Sequence, residues 1–330
     1  MTAKRRYRKR EIIILCILFL SIVVCSVIIF MNFRQIQDAA SDETLPVTKR
    51  DYTILITGVS EDNSFLKQVS QGASLVGNFY DCAIMYYEPD AYSKENNMNS
   101  LLDYAGFINA DCVITYLDRD AAKIEPPRNH DNKVIPLITV GHYLPEVSST
   151  SHIGINYAEL GFSMAEEAVK YLNGRGTIYL LNTFDVNDYY TSTVLNNLVS
   201  RLNQEKEIKI DYFSSSRNTD FSIEDDVRQQ MASSGKIDLV MTISEQGTVL
   251  AVQTLSDLNL NAKTGLIGFG DGKESLNYID KGLITKLFTP DAVDIGKKAV
   301  GEFFEYRTNG SANNYVTADF MLIEPGSKND

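Results

Sequence analysis

The sequence predicts an α/β protein: two doubly wound parallel-sheet lobes joined by a hinge, preceded by one N-terminal transmembrane helix. Three observations lead there. Short apolar runs without strict alternation recur from Asp51 onward, as in strands buried on both faces. Helix-length segments with apolar residues spaced by three and four separate those runs. Near the start stands an uncharged stretch of 22 residues, Ile12–Phe33.

At about 1.5 Å per residue that stretch makes a helix of about 33 Å, enough for a hydrocarbon core of about 30 Å. Lys4, Arg5, Arg6, Arg8, Lys9 and Arg10 precede it, whereas Arg34, Asp38, Asp42 and Glu43 follow. This asymmetry places residues 1–11 in the cytoplasm, 12–33 across the cell membrane and the rest outside. A cleaved secretory signal is the alternative. Its apolar region usually runs about 7–15 residues, and neither Asp38-Ala39-Ala40 nor Val24-Cys25 suits a processing enzyme. An uncleaved signal anchor is therefore the expectation. Residues 34–50 are polar, rich in small residues and broken by Pro46, and are read as a flexible linker.

The whole chain carries a formal charge of −12; residues 1–33 hold six basic residues against Glu11, or +5, so the exterior part stands at −17. An acidic exterior argues against nucleic acid or anionic lipid as a partner. Its length, about 280 residues, suits two lobes. Cys82 and Cys112 lie in apolar runs and are expected as buried free thiols, with one disulfide as the alternative. His130, His142 and His152 show no metal-ligand spacing, so neither a metal nor another cofactor is expected.

The strand-like runs, in order, are Tyr52–Gly58, Cys82–Tyr87, Cys112–Leu117, Pro136–Gly141, Thr177–Leu181, Ile208–Phe213, Leu239–Ile243, Gly265–Phe269 and Leu283–Phe288. Strand–helix alternation implies right-handed βαβ units, and a break near Ser148–Gly154 starts a second series. Two such sheets leave a cleft at the carboxyl ends of their strands. Lobe one is expected over 51–155 and 291–308, and lobe two over 156–290 and 309–330. The chain should cross near Ser148–Tyr157, Phe288–Pro290 and Asn309–Asn314.

No Walker phosphate loop, GxSxG elbow or HExxH helix occurs, and no acid/base pair persuades, so the chain is not expected to be an enzyme. The glycines of Gly268-Phe269-Gly270-Asp271-Gly272 lack dinucleotide spacing and read as a tight turn. What recurs at strand ends is aromatic and polar chemistry: Asn63 with Phe65, Asn156-Tyr157, Tyr189-Tyr190 and Asp220-Phe221. Aromatic faces stack on the C–H faces of sugars while polar groups bond the hydroxyls.

On these residues the chain resembles the type I periplasmic solute-binding proteins of the ribose- and galactose-binding kind, whose fold lactose-repressor effector domains share. The similarity runs from about Asp51 to Pro325. It rests on Asn63-Ser64-Phe65-Leu66 with Gly72-Ala73, Ile135-Pro136 before an apolar strand, and Asn156-Tyr157 before Gly161. Thr219-Asp220-Phe221, the Gly268–Gly272 turn, and Pro290 with Gly296 complete it. The family's Asp-Arg after the fourth strand is Gly141-His142 here, its next arginine falls near Tyr190, its Asn-Asp is Ser244-Glu245, and its late glutamine falls near Phe288-Thr289. Both family arginines, which hold paired hydroxyls bidentately, are thus replaced. A different sugar or a less polar molecule stays open as ligand.

The resemblance implies a bacterial, membrane-tethered extracellular solute-binding protein that captures a small sugar-like ligand for a permease of the ABC uptake class. A ligand-sensing subunit signalling to a membrane histidine kinase is the alternative, and an external hydrolase is a distant third. Phe65 and Phe221 are expected to face each other across the cleft. Asn63, His142, Asn156, Tyr190, Ser244, Glu245 and Asp271 should line its walls.

Overall fold

A computed structural model of the protein describes residues 50–58, 64–88, 98–117, 124–184, 186, 188–213 and 222–327. The anchor and most of the linker expected from the sequence lie outside the described residues, as do Asn63 and Phe221. Among the described residues no helix is long and apolar enough to cross a membrane.

Among the described residues twelve strands form two six-stranded sheets. The first contains β1 (Tyr52–Gly58), β2 (Cys82–Tyr87), β3 (Cys112–Leu117), β4 (Leu137–Gly141), β5 (Ser151–Ile155) and β11 (Tyr315–Ala318). Its order is β2-β1-β3-β4-β5-β11. The second contains β6 (Arg175–Leu181), β7 (Glu207–Tyr212), β8 (Leu239–Thr242), β9 (Gly265–Phe269), β10 (Lys286–Pro290) and β12 (Phe320–Ile323). Its order, β7-β6-β8-β9-β10-β12, repeats the first, and β12 alone runs antiparallel. Central strands such as β3 and β4 carry apolar or Thr side chains to both faces and are almost wholly buried. Edge strands β2 and β7 alternate.

Helices α1 (Ser64–Gly77) and α8 (Ala292–Asn309) cover one face of the first sheet, and α2 (Met98–Phe107) covers the other. In the second lobe α3 (Tyr157–Leu172) and α4 (Tyr189–Leu202) cover one face. The other is covered by α5 (Ile223–Ser233), α6 (Glu245–Asp257) and α7 (Lys273–Asp280). The Gly72 and Gly296 pair explains how tightly α1 and α8 cross. A Cβ at Gly72 would strike the Val293 carbonyl, and one at Gly296 would strike the Val69 carbonyl. Gly161 of α3 meets the Val194 carbonyl of α4 in the same way. Gly72, Gly161 and Gly296, three of the glycines that carried the family resemblance, are therefore packing residues.

The chain passes between lobes at Asn156, at Asp291 and at Asp319, where β11 of the first sheet gives way to β12 of the second. The third passage corrects the expected Asn309–Asn314. That stretch is the turn leaving α8, with Gly310 at φ +75°. The second and third passages lie side by side: the Asp291 amide donates to the Asp319 carbonyl at 2.9 Å. The Asp319 amide donates to Asp294 Oδ2 at 3.2 Å. β10 also begins at Lys286, three residues later than the apolar run suggested, because Leu283–Thr285 complete the turn after α7.

Cys82 and Cys112 are free and buried. Burial, with Asp111 adding, pushes the Cys82 thiol up to about 11, so it is a poor nucleophile at neutral pH.

Candidate ligand cleft

A cleft of about 820 Å³ opens at the carboxyl ends of both sets of strands and draws its walls from both lobes. That volume lies within the range of small-molecule sites, about 300–1,000 Å³. From the first lobe come Phe65, Tyr116 at the end of β3, and the Gly141-His142 exit of β4. From the second come Tyr157, Phe184, Tyr190, Ser244, Glu245 and the Phe269–Glu274 turn. Aromatic rings therefore stand on both sides.

Phe65 enters the cleft from the first turn of α1, where the chain leaves β1 and turns onto the sheet. It is 5% exposed, meets the Tyr116 ring edge-on at 5.6 Å, and also belongs to the core between the first sheet and α1. Wall and core are one residue here.

His142 bridges the lobes. Its Nε2 lies 3.2 Å from Asp188 Oδ1, the residue that caps α4. Asp188 also accepts from the amide and hydroxyl of Thr191, at 2.9 and 3.0 Å. Burial alone would raise its carboxyl; the Thr191 bonds and His142 outweigh that and hold it below the usual aspartate value. Beside this pair, Tyr190 donates its hydroxyl to the Ile243 carbonyl at 2.6 Å. Its ring lies edge-on to Tyr157 at 4.8 Å and to His142 at 5.6 Å.

Ser244 and Glu245 line the cleft, yet their oxygens hold the protein together. Ser244 Oγ caps α6 through the Gly247 amide at 3.1 Å. Glu245 reaches across to the start of α7, accepting from the Gly272 and Ser275 amides at 3.1 and 3.2 Å and from Ser275 Oγ at 2.6 Å. The turn wraps so closely that a Cβ at Gly270 or Gly272 would fall on this carboxylate. Glu245 thereby sets the position of Phe269 and Asp271, which do face the cleft.

Asn156 departs from its expected role. Its Oδ1 accepts from the amides of Ala158 and Glu159, at 3.1 and 3.2 Å, as the cap of α3, and the residue does not line the cleft. An Asn before a helix is first a cap, and here that use prevails. The structure thus brings Phe65, His142, Tyr190, Ser244, Glu245 and Asp271 together at one cleft. Sequence reasoning passed over Tyr116 and Phe184 as wall residues. Both stand at or just after the carboxyl end of a strand, the same signal that singled out Phe65.

Behind the hinge lies a second aromatic group. His152, buried in β5, bonds Thr139 Oγ1 through Nδ1 at 2.9 Å, and the rings of Tyr143 and Tyr315 lie 5.1 and 5.2 Å from it. Burial drives its pKa down to about 3, with His142 adding, so the ring is neutral. Among the described residues no cluster of His, Cys, Asp and Glu could hold a metal ion.

The sequence matches the periplasmic binding protein domain over residues 54–305, and the chain belongs to that family. No curated protein sequence matches it. Among solved structures it is similar to AraP, an arabinose-binding protein from Geobacillus stearothermophilus, at 12% identity, TM-score 0.69, over 83% of this chain and 97% of that one. GanP, a glucose-galactose binding protein from the same organism, aligns at 16% identity and TM-score 0.64, over 86% and 100%. A mutant XylFII–LytSN complex aligns at 18% identity and TM-score 0.66, over 84% and 98%. The fold is that of sugar-binding periplasmic proteins of type I.

Proposed function

We propose that the protein is a membrane-tethered extracellular solute-binding protein that closes two lobes on a small sugar or sugar-like ligand for an ABC-type uptake system. The observation that carries this reading is the cleft itself. It has the volume of a small-molecule site, stands at the carboxyl ends of two doubly wound sheets, and sets aromatic rings from both lobes around polar groups. The adjacent passages at Asp291 and Asp319 supply a place for lobe rotation. Tethering rests on the Ile12–Phe33 stretch and its basic flank. Proteolysis of intact cells, with the cell wall opened, should remove the chain beyond residue 35.

A second reading is a ligand-sensing subunit that reports to a membrane histidine kinase. It is favoured by one observation: a neighbour of the same fold, XylFII, was solved in complex with another protein, LytSN. Ligand capture is common to both readings. A thermal-shift screen of the full chain in detergent, against aldoses and their glycosides, tests it directly. A ligand at 100 times its Kd adds about 2.7 kcal/mol, visible as a raised Tm. A panel without any shift would count against sugar capture. Co-purification of a permease or of a kinase then separates the two readings.

A further inference from the structure

We propose that the cleft takes an amphipathic glycoside. Its glycosyl hydroxyls bond the polar residues that open α6 and α7, and its flat apolar aglycone lies among the rings that open α3 and α4. This assignment rests on ligand capture by the cleft and adds the class of ligand.

The second lobe's wall has two unlike halves, because the helices that supply them lie on opposite faces of one sheet. α3 and α4 cover one face, and α6 and α7 cover the other. The first half is built of rings. Tyr157 and Tyr190 open α3 and α4, Phe184 stands before α4, and His142 meets Tyr190 from the first lobe. Polar atoms of this half bond protein. The Tyr190 hydroxyl donates to the Ile243 carbonyl at 2.6 Å, and the Tyr157 hydroxyl accepts from the Tyr143 amide at 3.3 Å. His142 Nε2 lies 3.2 Å from Asp188. The first lobe adds Phe65 and Tyr116, two rings in edge contact. Rings fixed in this way favour a flat apolar group through burial and ring contact.

The second half is polar. Gln246 stands at the start of α6, and Asp271, Lys273 and Glu274 stand at the start of α7. Gln246, Lys273 and Glu274 are exposed. Glu245 holds this turn in place, because its carboxylate accepts from the Gly272 and Ser275 amides. An amide, two carboxylates and an ammonium set donors beside acceptors, which suits the neighbouring hydroxyls of a glycosyl ring. Phe269 ends β9 between the two halves, its ring 6.2 Å from that of Tyr190.

This division selects against simpler ligands. Hydroxyls laid on the ring half lose water without gaining partners, and an apolar molecule laid on the polar half strips its charged groups of water. The cleft's 820 Å³ stands in the upper part of the range for small-molecule sites and has room for both parts of a glycoside.

The test is calorimetric titration of the full chain in a detergent that carries no sugar, with heats into empty micelles subtracted. Methyl and phenyl glycosides of glucose, galactose, xylose, arabinose and N-acetylglucosamine are compared as matched pairs, with the free aldoses beside them. In at least one pair the phenyl glycoside should bind about 10–100-fold tighter than the methyl glycoside, the scale of a buried aromatic group. Phe184→Ala should bring that pair close to parity. Gln246→Ala should weaken both members alike and leave their ratio unchanged. Should Phe184→Ala not fold, the parent's pairs decide alone. Equal affinity within every pair, or a phenyl advantage that survives Phe184→Ala, would overturn the proposal. Free aldoses that bind as well as any phenyl glycoside would overturn it while leaving sugar capture standing. A panel in which nothing binds would overturn both.

Discussion

His142 Nε2 and Asp188 Oδ1 stand 3.2 Å apart, one residue from each lobe, at the wall of the cleft. Asp188 is at the same time the cap of α4, so a single carboxylate ties helix start, cleft wall and opposite lobe together. Asp188→Ala should lower stability by about 1–2 kcal/mol, the scale of a lost cap with a polar partner. The folded carboxyl titrates below its unfolded value, so this contribution is full above about pH 4 and is lost as pH falls through the folded value. Denaturant unfolding of parent and variant across the acid range should show the gap between them shrink.

His152 adds acid sensitivity of the same sign, stability lost as pH falls, but from a group held neutral rather than charged. Its folded pKa of about 3 lies below the ordinary value of about 6.5, so between those limits the unfolded chain binds a proton that the folded one refuses. Stability should fall by about 1.4 kcal/mol per pH unit across that window, and His152→Gln should remove this component of the slope. An unchanged slope in the variant would mean that the imidazole is not held neutral.

Glycines in α8 separate close approach from simple flexibility. Gly296→Ala places a methyl on the Val69 carbonyl and should cost about 1–3 kcal/mol or more through forced separation of α1 and α8. Gly301→Ala, in the same helix with nothing within 4 Å of its Cβ position, should instead add about 0.5–1 kcal/mol. Thermal melts of the two variants should move in opposite directions.

Glu245 should act on ligand through the turn that it holds. Glu245→Ala leaves the Gly272 and Ser275 amides without their acceptor, at a cost of about 1–3 kcal/mol in stability. Ligand affinity should fall with it, because Phe269 and Asp271 lose their fixed position. Glu245→Gln, which keeps one acceptor oxygen, should recover part of both.

Nine of the twelve strands were legible as apolar runs, because buried parallel strands need little else. β5 was not: Ser151-His152-Ile153-Gly154-Ile155 carries polar residues, yet all five are buried, with His152 satisfied in part by Thr139. β11 and β12 were hidden in the tail, whose short, half-exposed strands lack the apolar density of the others. At the site, strand-end position found Phe65 and Tyr190, since topology sends strand ends to the cleft, and the family resemblance added His142, Ser244, Glu245 and Asp271. It could not tell a ligand-facing oxygen from one spent on a cap. Asn156, Ser244 and Glu245 all look alike in sequence, and hydrogen-bond geometry is what separates them. Phe65 belongs to the core as well as to the cleft wall, so Phe65→Ala should cost about 3–5 kcal/mol of unliganded stability.

Phe184 is therefore the cleaner probe of the central claim, that the cleft closes on a sugar-like ligand. It lines the cleft from the loop after β6 and is half-buried, and its backbone is held by Asn182 through bonds of 2.9 and 3.3 Å that truncation leaves in place. The measurement is calorimetric titration of the parent and Phe184→Ala with the best ligand from the sugar and glycoside screen. Binding should weaken by about 1–3 kcal/mol, the scale of a lost aromatic contact and its buried area, while the unliganded Tm stays where it was. Equal affinity in the two proteins, or no sugar or glycoside bound by the parent, would contradict the account.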